Sequence, residues 1–110
     1  IKNNAFDYYK SNPDFIQKHV FPGGMLPSIE ILKKILKNNK LQIIENNNYP
    51  EHYAKTLNKW RNNFNSSLDE IKNNGFDDRF IRLWNYYLAY CESGFKTKRI
   101  GLNQIKIVHN

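Results

Sequence analysis

One cysteine and one methionine in 110 residues leave this chain little thiol or soft-metal chemistry. Cys91 has no internal disulfide partner, which suits a reducing compartment. His19, His52 and His109 are too far apart in sequence for a Cys/His metal set. No apolar run approaches the ~18 residues of a membrane span. Ile1-Lys2-Asn3-Asn4 is followed by no apolar h-region, so it is not read as a signal peptide. Glycine is sparse, and the sole pair, Gly23-Gly24, does not follow a strand pattern, so no phosphate or dinucleotide loop is expected. No Ser/His/Asp set can be argued from the spacing. The residues alone therefore show no complete active site.

What is present is apolar and basic. Hydrophobic residues make up 40% and aromatics 15% of the chain, enough for one core. The net charge is +7, from 17 basic and 10 acidic residues. Lys10, Lys18, Lys33, Lys34, Lys37, Lys40, Lys55, Lys59, Lys72, Lys96, Lys98 and Lys106 are scattered, whereas a nucleic-acid surface gathers its basic residues on one face. No nucleic-acid partner is expected. Attraction to anionic lipid headgroups needs only a diffuse field, and compositional drift toward Asn, Lys and Ile accounts for the charge equally simply.

The chain reads as a mostly helical α/β segment. Ile1 to Asn12 reads as loop, and Asp14 to Val20 as a short helix opened by Pro13. Phe21 to Pro27 is too rich in proline and glycine for a regular element. Ser28 caps a helix whose apolar stripe is Ile31, Leu32, Ile35 and Leu36, ending at Asn38-Asn39. Leu41–Glu45 reads as a strand ended by Asn46-Asn47-Asn48. Glu51 to about Asn65 is a helix with Tyr53, Leu57, Trp60 and Phe64 along one side. Ser67 with Glu70 forms a capping-box pattern for a further segment, and Gly75 stops it. The longest helix starts at Asp77 or Asp78 and runs to about Lys98, with Phe80, Leu83, Trp84, Tyr87, Leu88, Cys91 and Phe95 as its stripe. Leu102–Val108 reads as the final strand. Two strands do not make a sheet with a face to pack, so further strands are expected upstream of Ile1, and the chain reads as a fragment.

Several segments occur in a telling order: Asp14-Phe15-Ile16-Gln17-Lys18-His19-Val20, Phe21-Pro22-Gly23-Gly24-Met25-Leu26-Pro27-Ser28, His52-Tyr53-Ala54-Lys55-Thr56-Leu57-Asn58-Lys59-Trp60, Arg79-Phe80 with Leu83-Trp84, and Tyr86-Tyr87-Leu88-Ala89-Tyr90-Cys91-Glu92 with Phe95. In order and spacing they resemble the C-terminal third of the cyclopropane-fatty-acyl-phospholipid synthases, with which the mycolic acid cyclopropane synthases belong. The Phe-Pro-Gly-Gly segment is fairly specific, while Tyr-x-x-Thr-Leu-x-x-Trp is shared with relatives that methylate other acceptors.

This resemblance implies the C-terminal part of a class I, Rossmann-like methyltransferase in which residues 1–110 are the lipid side and the cofactor-binding half is missing. Leu41–Glu45 and Leu102–Val108 would be its two terminal antiparallel strands. It implies methyl transfer from S-adenosylmethionine to a cis double bond of a phospholipid acyl chain, with bicarbonate accepting a proton before ring closure. Tyr53 matches the family tyrosine that helps hold bicarbonate, and Ile1 a residue whose backbone contacts it. The cysteine, glutamate and histidine that complete that site would precede Ile1.

Phe21, Leu26, Leu57, Tyr87, Cys91 and Phe95 match acyl-channel positions. Local spacing agrees, since Tyr53 and Leu57 share one helix face and Tyr87, Cys91 and Phe95 another. For each of these the plain alternative is an ordinary core position. The resemblance further implies a cytoplasmic protein in peripheral contact with an anionic membrane surface. The 110 residues alone are expected neither to bind S-adenosylmethionine or bicarbonate nor to catalyse. Two rival readings remain: a methyltransferase for another acceptor, such as an amine or a sterol-like lipid, and a small basic module for membrane surfaces or nucleic acid.

Overall fold

Local sequence chemistry sets most element boundaries in the computed structural model, which describes residues 1–110. The order is a 3-10 turn (Asn3–Ala5), α1 (Phe6–Ser11), α2 (Phe15–His19), α3 (Ile29–Asn38), β1 (Leu41–Asn48), α4 (Pro50–Ser66), α5 (Leu68–Asn73), α6 (Asp78–Lys96) and β2 (Asn103–His109). The chain divides into two units, one made of Ile1–Tyr49 with Lys98–Asn110 and the other of Pro50–Thr97.

In the first unit β1 and β2 form a two-stranded antiparallel sheet, with Ile43 opposite Ile107 and Asn46 opposite Ile105. A bulge falls between Ile43 and Glu45, and it ends the alternation of half-buried Leu41 and Ile43 with exposed Gln42 and Ile44. α3 packs on β1. The Ser28 hydroxyl caps it by accepting from the Ile31 amide at 3.3 Å. Asp14 and Gln17 cap α2 reciprocally, at 3.0 and 2.9 Å.

Four expectations change. Ile1 to Asn12 is not loop: the 3-10 turn and α1 occupy it, and burial of Phe6 and Tyr9 on one side of α1 outweighs the turn-forming asparagines. β1 runs on through Asn46-Asn47-Asn48, because ladder pairing with Asn103–Ile105 overrides the poor strand propensity of asparagine. Ile35 is 52% exposed, so the buried side of α3 centres on Leu36 with half-buried Ile29 and Leu32. Ser67 precedes α5 without a side-chain cap. Its hydroxyl instead donates back to the Asn63 carbonyl at 3.0 Å.

In the second unit α4 and α6 are antiparallel, since Tyr53 meets Phe95, Asn58 meets Glu92 and Asn65 meets Asn85. Pro50 starts α4 at a position where its missing N–H costs nothing. Asp77 caps α6 by accepting from the Phe80 amide at 2.9 Å. Ala54, Leu57, Leu88, Cys91 and Phe95 form the buried centre. Phe76, Phe80, Trp84 and Tyr87 extend it as a row of rings with successive centroids 4.5, 5.7 and 4.8 Å apart.

Candidate functional site

Tyr53 sits in the first turns of α4, half-buried, with its ring 4.8 Å from Phe95 and edge-on to Trp60 at 5.9 Å. Tyr87 is close enough to Tyr53 for the two phenols to interact electrostatically, and it hydrogen-bonds with Cys91. Burial pushes the Tyr87 phenol up, and the proximity of Cys91, the hydrogen bond with it and the proximity of Tyr53 push the same way. The Tyr87 phenol therefore stays protonated at neutral pH. The structure thus brings Tyr53, Tyr87, Cys91 and Phe95 together as one packed cluster that carries two phenols.

Leu57, at 2% exposure, and Cys91, at 8%, lie within the α4–α6 core, so each has a packing role of its own. Ile1, Phe21 and Leu26 belong to the other unit. The Ile1 α-amino group donates to the Pro27 carbonyl at 3.1 Å. Phe21 and Leu26 are exposed on the loop between α2 and α3. That loop is tied by Gly24 N–H donating to Phe21 O at 2.9 Å, by Gln17 donating to Gly24 O at 3.0 Å, and by Leu26 N–H donating to the Tyr9 hydroxyl at 2.9 Å. Gly23 takes φ of 80°, which glycine adopts without strain.

A charged cluster on the same two helices was not read from the sequence as a site. Glu92 is 4% exposed. Its carboxylate accepts from Asn58 at 3.1 Å and Arg61 at 3.0 Å, and pairs with Lys96 at 3.2 Å. Burial alone raises its pKa, but the hydrogen bonds from Lys96 and Asn58 and the charges of Lys96 and Arg61 outweigh that and lower it. The signal was available. Leu88, Cys91, Glu92 and Phe95 recur at i, i+3, i+4, i+7, which puts an acid in the buried stripe. Ala54, Leu57, Asn58 and Arg61 repeat the same spacing on α4 and supply its partners.

Comparison with known proteins adds to this geometry. The sequence profile of the family described as mycolic acid cyclopropane synthetase matches residues 2–105.

The chain belongs to the mycolic acid cyclopropane synthetase family.

Among relatives in this family, the tuberculostearic acid methyltransferase UfaA1 of Mycobacterium tuberculosis is 38% identical over 86% of this chain and 22% of its own length. The cyclopropane-fatty-acyl-phospholipid synthase of Escherichia coli K12 is 31% identical over 83% of this chain and 23% of its own length. The crystal structure of mycolic acid cyclopropane synthase CmaA1 complexed with SAH and CTAB superposes with a TM-score of 0.80 at 27% identity, over 84% of this chain and 32% of that one. The chain thus spans between a fifth and a third of these proteins' lengths. Its fold is a C-terminal portion of the synthase fold, mostly helical with two antiparallel strands, as the family resemblance implied.

The strand-to-helix junction Asn48-Tyr49-Pro50 contains no glycine and opens α4 with a proline, which lacks the amide that would face a phosphate.

Proposed function

We propose that residues 1–110 are the C-terminal, lipid-side part of a methyltransferase domain that converts cis double bonds of phospholipid acyl chains into cyclopropanes. The observation that carries this reading is the packed cluster in which Tyr53 and Tyr87 set two phenols against Phe95 and Cys91 in a chain of this family. Long acyl chains need apolar walls, and an oriented polar group at one point sets their register.

S-adenosylmethionine, when bound, supplies the methyl group, and the residues holding it lie outside this set. Support for that cofactor comes from CmaA1, whose SAH is the demethylated form of S-adenosylmethionine and whose CTAB carries a long alkyl chain. The family resemblance makes the Tyr53 phenol a hydrogen-bond donor that would hold bicarbonate, and it gives the Ile1 backbone the same role. Tyr53 serves to orient that base rather than act as one. Phe21, Leu26, Leu57, Tyr87, Cys91 and Phe95 line the acyl path. The protein works in the cytoplasm, in peripheral contact with an anionic membrane; no helix of the chain is long and apolar enough to cross one.

One observation favours a second reading. The relative matched at 38% identity is named a methyltransferase rather than a cyclopropane synthase, so methyl transfer without ring closure is the alternative product. Proton NMR of the acyl chains from vesicles of cis-unsaturated phosphatidylglycerol treated with the full-length protein separates the two, because a cyclopropane and a branched alkene formed by proton loss are isomers of equal mass and only the ring shows upfield methylene protons. Tyr53→Phe in that protein should lower turnover by about 100-fold and leave vesicle binding unchanged. Full activity of Tyr53→Phe would remove Tyr53 from the site.

A further inference from the structure

Asn74-Gly75 is the sole Asn-Gly step in the sequence. Other asparagines precede residues with a Cβ, and Asn12 precedes Pro13, which has no amide hydrogen. A backbone nitrogen that follows asparagine can attack the side-chain carbonyl and close a five-membered ring. Glycine leaves that approach uncrowded, because it carries no Cβ.

The structure exposes this step. Asn74 is the C-cap of α5 and Gly75 holds φ of 93°, both in solvent. No hydrogen bond ties the Asn74 side-chain amide, whereas those of Asn12, Asn39, Asn58, Asn65 and Asn85 all donate. The Gly75 amide donates to the Lys72 carbonyl at 3.0 Å, and the Phe76 amide to the Ile71 carbonyl at 3.3 Å. Ring closure must first release the Gly75 bond. That opening is local and shallow, since α5 is six residues long and buries none of them.

We propose that Asn74 is a site of spontaneous modification, at which deamidation loosens the turn between α5 and α6. The Gly75 nitrogen loses its proton and bonds to Asn74 Cγ. The Cγ–Nδ2 bond breaks and ammonia leaves. Water then opens the cyclic imide at either carbonyl, giving aspartate or isoaspartate, and no other reagent is consumed. Either product sets a carboxylate at the negative end of α5, close in sequence to Asp77 and Asp78. Isoaspartate also adds a methylene to the backbone, so the Gly75 and Phe76 amides no longer reach both carbonyls. The ring of Phe76, 4.5 Å from that of Phe80, then loses its anchor. This chemistry is independent of what the α4–α6 pair binds.

The full-length protein is held at neutral pH and sampled over days. Trypsin, cutting after Lys72 and Arg79, releases residues 73–79 for mass spectrometry. Digestion in heavy-oxygen water labels any conversion that occurs during the digest. Asn74 should convert at least about tenfold faster than Asn73, the ratio that one steric clash in the transition state produces. Gly75→Ala should remove that excess. An added Cβ there meets nothing within 4 Å, and circular dichroism verifies that the variant keeps its fold. Hydrogen exchange over residues 68–80 should be faster in aged parent than in equally aged Asn74→Gln, with the other segments unchanged. The proposal is overturned if Asn74 converts no faster than Asn73, if Gly75→Ala converts as the parent does, or if conversion occurs only in urea. Unchanged exchange over residues 68–80 in fully converted protein would overturn the loosening of the turn.

Discussion

The Glu92 carboxylate is withdrawn from water yet stays ionised, because Asn58, Arg61 and Lys96 replace the solvent it gives up. Its partners are themselves 34% and 65% exposed at Arg61 and Lys96, so they resolvate when the carboxylate is removed. Glu92→Gln should then cost about 1–2 kcal/mol at pH 7. The folded pKa lies below the unfolded value of roughly 4.3, which makes the contribution fully present above that pH. It is lost as the pH falls through the lower folded value. Urea unfolding at pH 7 and pH 3 measures this, and the difference between parent and variant should shrink at pH 3. An equal difference at both would show that the ion pairs contribute nothing.

At the scale of elements, caps and periodicity were legible in the sequence. Ser28, Asp77 and Pro50 begin their helices where local chemistry places them. The Phe21–Ser28 segment is irregular as its prolines and glycines require. Within it, Gly23 holds φ of 80°, and an added Cβ would meet nothing within 4 Å. Gly23→Ala therefore tests backbone conformation alone and should cost about 1–2 kcal/mol, read from the urea midpoint. No loss would mean that the loop relaxes freely out of this turn. α1 was not legible, because its six residues carry only two that become buried, Phe6 and Tyr9, too few for a period to show. Nor was the length of β1, whose asparagines are held by a strand that begins more than fifty residues later.

For the whole molecule, the two units divide the proposed acyl-channel residues into two kinds. Leu57 belongs to the core of the helical unit, whereas Phe21 and Leu26 are 53% and 44% exposed on a loop of the other. Leu57→Ala should cost about 2–5 kcal/mol of stability. Phe21→Ala and Leu26→Ala should each stay within about 0.5 kcal/mol, while raising KM for the acyl substrate in the full-length protein. Denaturant unfolding and KM measured on the same three variants check this. An unchanged KM in both loop variants would remove Phe21 and Leu26 from the acyl path.

The sequence by itself determined the family, most of the helices, and the stripe on which Tyr53 faces Leu57, because capping and i, i+4 spacing act over a few residues. It also placed Tyr87, Cys91 and Phe95 on one face of one helix. Only the tertiary structure decided that Tyr53 packs against Phe95, that Ile35 is left in solvent, and that Glu92 is buried. Those outcomes rest on partners distant in the chain. The Glu92 hydrogen bonds span 34 and 31 positions, and no local pattern states whether so distant a donor will arrive to keep a buried carboxylate charged.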